Sequence, residues 1–104
     1  MKIVEMFFVF SSNIEWGSAH FLYRIFTERV NVEGIRDILD REFEGYTLLE
    51  SMGFWKGVSE PSIGIEIDGT ISEEKVRSVA EAIKQLNGQD AVLIQRVPVD
   101  SVLI

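Results

Sequence analysis

GYTLLESMGFWKGVSEPSIGIEID, residues 45–68, decides the fold of this chain. Its β-branched and aromatic content reads as two strands joined by a short turn, with a helical pattern before it and another after it. A turn at Gly57–Ser59 lets Pro61 open the second strand, where a missing N–H is tolerated. In that register Phe54 lies opposite Ser62, Met52 opposite Gly64, Glu50 opposite Glu66 and Leu48 opposite Asp68. Ile63, Ile65 and Ile67 then share the face covered by helices, with Leu49, Ser51 and Gly53 opposite them. The other face carries Tyr46, Leu48, Met52, Phe54 and the two glutamates.

Outward from the hairpin, Val32–Phe43 places Val32, Ile35, Ile38, Leu39 and Phe43 at helical spacing. Asn31 is its expected cap, and Gly45 its expected left-handed C′ residue. Ser72–Leu86 is the clearest helix: Ser72 or Thr70 caps it, Glu73 and Glu74 suit its first turn, and Val76, Val79, Ala80 and Ile83 form a buried stripe. Gly88 closes it. Ala91–Val97 reads as a last strand, with Pro98 requiring an edge or a bulge. Lys2–Phe10 (KIVEMFFVF) is apolar on both faces and is expected as a central strand. Ser11–Ser18 reads as a loop. Ala19–Val30 (AHFLYRIFTERV) fits a helix capped by Ser18 or a strand; the extended reading is preferred, pairing with Lys2–Phe10. The expected class is α+β: a ferredoxin-like βαββαβ domain over residues 1–104, an antiparallel sheet with two helices on one face, and an extra strand or helix inserted at 19–30.

The bulk numbers bound the function. Seventeen acids against ten Lys and Arg give a net charge of −7, which repels phosphate backbones and anionic membranes. Nucleic acid and membrane are excluded as expected partners. With no Cys and one His, thiolate chemistry and multi-histidine zinc centres are out of reach. The longest apolar run, Met6–Phe10, is far short of a membrane span, and Glu5 inside the first strand pattern argues against a secretory signal. The expectation is a soluble, cytoplasmic protein with no cofactor.

Two carboxylates directly opposite each other, Glu50 and Glu66, would raise one pKa and could work as an acid–base pair. With Glu5 on the same face they could hold a hard cation. The stronger reading has these acids reaching solvent or pairing with Arg24, Lys2 or Arg96. His20, after a Gly-Ser loop, is a candidate general base that lacks a second His or a Cys to complete a nucleophilic site. Tyr46, Met52, Phe54, Trp55 and Lys56 are the candidate ligand- or partner-binding residues, aromatic anchors being common at interfaces. Trp16 and Trp55 are otherwise read as covers for the ends of the core. Gly53, Gly57 and Gly64 lie in a hairpin, not at a strand-to-helix turn, so they make no nucleotide fingerprint.

Gly45-Tyr46-Thr47, Glu50, Gly53, Ile63-x-Ile65-Glu66-Ile67 and Pro98-Val99-x-x-Val102-x-Ile104 resemble the layout of the PII-like nitrogen-regulatory signal proteins, over residues 45–104. That resemblance implies a ferredoxin-like trimer with nucleotides between subunits. It departs at the long effector-binding loop, replaced here between Gly53 and Ser62 by a short turn. It departs again at the phosphate-contacting stretch after the second helix, reduced here to Asn87-Gly88-Gln89-Asp90. ATP binding is therefore not carried over. Gly45-x-Thr47, Gly53-x-Trp55 and Glu60-x-Ser62 are also similar to a group of short bacterial and archaeal α+β proteins, which implies no activity.

The leading expectation is a non-enzymatic ligand- or protein-binding domain of regulatory type. Too much apolar surface lies on the helix-free sheet face for it to stand bare, so that face should form a homodimer or homotrimer interface. A small ligand pocket on the same face is a further expectation. The alternatives are a small enzyme with a carboxylate-lined pocket on that face, and a purely structural component.

Overall fold

Strand β1, His20–Glu28, lies at the centre of the sheet. A computed structural model describes residues 20–69, 71–102 and 104. Along β1 the odd positions Tyr23, Ile25 and Thr27 are buried, and Ile25 sits in register between Ile65 and Ile94 with no exposed surface. The extended reading of Ala19–Val30 therefore holds, but its expected pairing with Lys2–Phe10 does not, because β3 and β4 occupy both edges of β1. This strand takes the central place expected for Lys2–Phe10, a run that lies outside the described residues. Its apolar residues do not alternate because Leu22 and Phe26 stand on its second face, which is itself part of an apolar surface.

Helix α1 (Val32–Glu42), strands β2 (Thr47–Trp55) and β3 (Val58–Gly69), helix α2 (Glu73–Asn87) and strand β4 (Leu93–Val99) follow. The described strands form an antiparallel sheet in the order β2-β3-β1-β4. This is the ferredoxin-like βαββαβ arrangement. The buried residues of α1 (Ile35, Ile38, Leu39) and α2 (Val76, Val79, Ala80, Ile83) join Tyr23, Ile25, Ile63, Ile65 and Ile67 in one core. Since alternation puts those strand residues on one face, both described helices cover that face, and among the described residues the other is helix-free.

The helix ends are set locally. Ser72 accepts a hydrogen bond from Lys75 N at 3.2 Å, and Gly88 takes the left-handed conformation at the far end. Helix α1 departs from expectation at both ends. Asn31 is itself left-handed (φ 54°), so its side chain makes no cap and only its carbonyl accepts Ile35 N. Phe43, extended, ends the helix before Gly45 is needed.

The hairpin differs most from expectation. Lys56 and Gly57 have φ of 50° and 80°, so they alone form a two-residue turn, and Trp55 pairs directly with Val58. Glu50 then lies opposite Ile63, and Glu66 opposite Thr47. The shift is an odd number of residues, so every side chain of β2 changes face relative to the expected register. Tyr46 and Leu48 pack against the core, while Thr47, Leu49, Ser51, Gly53 and Trp55 take the helix-free face. Pro61 lies inside β3, just past the last β1 pair (Glu28 with Ser62), and its carbonyl accepts Arg29 N at 3.1 Å. Pro98, inside β4, is on an edge strand of the described sheet, where a missing donor is tolerated.

Two substitutions probe these local devices. Ser72→Ala removes the cap of α2 and lowers stability by about 1 kcal/mol, a fall of about 4–8 °C in thermal midpoint. Lys56→Asn relieves a left-handed lysine and raises stability by about 0.5–1 kcal/mol. Chemical denaturation with an unchanged slope checks both.

Candidate functional site

The helix-free face is where polar and apolar groups meet. Leu22, Arg24 and Phe26 of β1 lie there between the matching residues of β3 and β4, and Glu28 lies beside Ser62 of β3. At its middle Arg24 Nε donates to Glu66 Oε2 at 2.9 Å. The Ser51 and Ser62 hydroxyls meet across β2 and β3 at 2.6 Å. Around these polar pairs stand Leu49, Leu93 and Trp55, exposed by 46, 55 and 72%.

Strand β1 stops at Glu28 while the β2–β3 hairpin runs on to Lys56–Gly57, so the hairpin tip projects past the sheet. Arg29 braces it from the end of β1: Nη2 donates to Ser51 O at 2.7 Å and Nε to Ser62 O at 3.2 Å. Beside this brace lies a cavity of about 770 Å³, walled by Phe26, Met52, Trp55 and Leu93 and edged by Glu28 and Glu60. The Phe26 ring lies across Gly64, where a Cβ would come within 3.2 Å of it. Gln89, from the segment after α2, reaches the same cavity and accepts a hydrogen bond from the buried Thr27 hydroxyl.

The expected site residues are dispersed. Glu50 and Glu66 do not meet, because the observed register puts them on opposite faces of the sheet. Glu50 lies 3.9 Å from Arg29 Nη1, and Glu66 is held by Arg24. Glu5 lies outside the described residues, so its place beside them is not described. Among the described residues no cluster of three or more His, Asp or Glu is placed to hold a metal ion. His20 opens β1 opposite Val99. Tyr46 is not on the helix-free face as expected: its hydroxyl donates to Asp40 of α1. That bond and burial push its pKa upward against the opposing Arg36. Met52 and Phe54 are also on the helix side of the hairpin, but beyond the helices and exposed. Trp55 does face the helix-free side, with Lys56 Nζ 5.9 Å from its ring centre.

Glu28 and Glu60 are the functional candidates that sequence reading missed. Glu28 holds its proton above the usual carboxylate range, first through a hydrogen bond with the Glu60 carboxyl, then through burial and the negative charges of Glu60 and Asp90. The only signal in the sequence was that each is an acid beside a strand end. Their meeting depends on the β1–β3 register.

That pair sets a pH dependence. A carboxyl whose folded pKa is raised favours the fold at low pH and loses that contribution as pH rises through the folded value. Glu28→Gln or Glu60→Gln should therefore raise the thermal midpoint by about 1–3 °C near about pH 7. The gain should shrink on acidification through the ordinary Glu range, about pH 4, as Glu28 takes up its proton, and shrink in about 1 M salt. Thermal melts across pH check it.

No family model matches the chain, and no curated protein matches it. Solved structures do. A nitrogen-regulatory PII-like protein, CPII from Thiomonas intermedia K12, bound to ADP, AMP and bicarbonate, is 19% identical with a TM-score of 0.59, over 83% of this chain and 96% of that one. A DUF3240 family protein from Shewanella baltica OS155 is 15% identical with a TM-score of 0.61, over 81% of this chain and 96% of that one. A phage SAM lyase in its apo state is 18% identical with a TM-score of 0.60, over 85% of this chain and 94% of that one. At these identities the likeness is one of fold, and the chain resembles the PII-like proteins in its ferredoxin-like architecture.

Proposed function

We propose that this chain is a non-enzymatic, regulatory-type binding domain that acts in the cytoplasm and assembles with its own copies through the helix-free face of its sheet. The observation that carries this reading is the surface of that face. Leu22, Phe26, Leu49, Trp55, Leu93 and Val97 form an apolar sheet around one ion pair, Arg24–Glu66. A stable interface needs about 800 Å² from each partner with an apolar centre, and a bonded Arg–Glu pair is a form in which charge can enter such a centre. The ligand-bound state of the PII-like CPII supports a binding role for this fold, and the phage SAM lyase shows that neighbours in fold can differ in function. Met52, Phe54, Trp55 and Lys56 at the projecting hairpin tip are the proposed contacts for a ligand or partner.

Light scattering on the purified chain tests the assembly: the expected mass is two or three times 11.8 kDa at micromolar concentration, and a monomer overturns the reading. Arg24→Glu sets two acids side by side in the centre of the face. It should release monomers by weakening association at least about tenfold, while the circular dichroism spectrum stays that of the wild type.

A further inference from the structure

The cavity beside the hairpin has a charge of one sign. Among the described residues its only charged lining groups are Glu28 and Glu60, and no described Lys or Arg contributes to its wall. The nearby described cations are already engaged. Arg29 spends its guanidinium on the carbonyls of Ser51 and Ser62, and Lys56 lies over the Trp55 ring at the hairpin tip. No described Lys or Arg forms an ion pair with Glu28 or Glu60. Strand geometry forces this crowding: Glu28 pairs with Ser62, so Glu60 is the next same-face residue of β3, and the two carboxyls share one corner.

The rest of the wall fits the same sign. Phe26 and Trp55 present aromatic rings, whose faces carry negative partial charge and attract cations. Met52 and Leu93 add apolar surface, and the amides of Gln89 and Gln95 add neutral polar groups. At about 770 Å³ the space matches a small organic ligand. A phosphate or carboxylate entering it meets two acids, with no described Lys or Arg in the wall to offset them. A neutral ligand leaves the acids uncompensated. A cation with an apolar body satisfies both the acids and the rings.

We infer that this cavity binds an organic cation, a protonated amine carried on an aromatic or branched apolar group. The inference names the ligand class of the binding domain proposed above and rests on that reading. Glu28 and Glu60 accept the ammonium N–H groups, and Phe26 and Trp55 hold the apolar body. Among the described residues the charged groups that face Glu28 are Glu60 from β3 and Asp90 from the segment before β4, both acidic, so a bound ammonium lowers the affinity of Glu28 for its proton.

The test is calorimetric titration of the full chain with phenethylammonium, beside neutral phenethyl alcohol, anionic hydrocinnamate and ADP. The amine should bind at least about tenfold more tightly than its neutral and anionic counterparts. Glu28→Gln and Glu60→Gln should each weaken it by about three- to tenfold, and Trp55→Leu should weaken it without restoring the anion. Binding should release protons near the pKa of Glu28, a readout that a change in packing alone does not produce. Equal or tighter binding of hydrocinnamate or ADP overturns the cation assignment while keeping the chain a ligand-binding domain. An amine affinity unmoved in both glutamine variants overturns it too, as does the absence of amine binding in a chain that sizes as an oligomer. Amine binding by a chain that sizes as a monomer upholds the site and removes the assembly.

Discussion

The turn Lys56–Gly57 governs more of this molecule than any other two residues. With both in positive φ, the hairpin closes in two residues and Trp55 pairs with Val58. Every later pair follows from that contact, because the ladder of an antiparallel hairpin has no freedom once its turn is set. The face of each β2 side chain is thereby decided: Leu48 joins the core, Trp55 joins the open face, and Glu50 is parted from Glu66. A turn one residue longer would have reversed all three.

The core converts this register into a layered fold. Ile25, Ile63, Ile65 and Ile67 form one apolar row, and the stripes of α1 and α2 cover it. The burial of several branched side chains at about 1.5–3 kcal/mol each outweighs the local preferences of any single segment. That is why β1 is a strand despite a sequence that also suits a helix. In the sheet its even residues, Leu22 and Phe26, occupy a second apolar surface instead of the back of an amphipathic helix.

Charge is distributed unevenly over that second surface. In the middle an arginine and a glutamate neutralise one another. At the hairpin end two glutamates face each other with a third acid nearby, while the adjacent arginine is used to brace strand carbonyls. An acid-rich corner beside aromatic rings is a different environment from one that welcomes phosphate. The ferredoxin-like architecture is what this chain shares with CPII.

Much of the fold was legible in the residues alone. Both helices, the hairpin, the last strand and the helix-covered row Ile63, Ile65 and Ile67 can be read from local periodicity and end signals such as Ser72 and Gly88, because each is encoded within a few neighbouring residues. The central strand and the face of β2 could not be read in the same way. The first depends on which of two apolar segments, Lys2–Phe10 or His20–Glu28, enters the sheet between β3 and β4, and the second on a turn conformation that a lysine seldom adopts. The candidate site was the least legible, since Glu28 and Glu60 meet only through pairing between strands far apart in the chain. Thus the sequence determined the elements and the acidic character of the protein; the tertiary structure alone decided which acids face each other, because register is a property of strand pairs and not of any one strand.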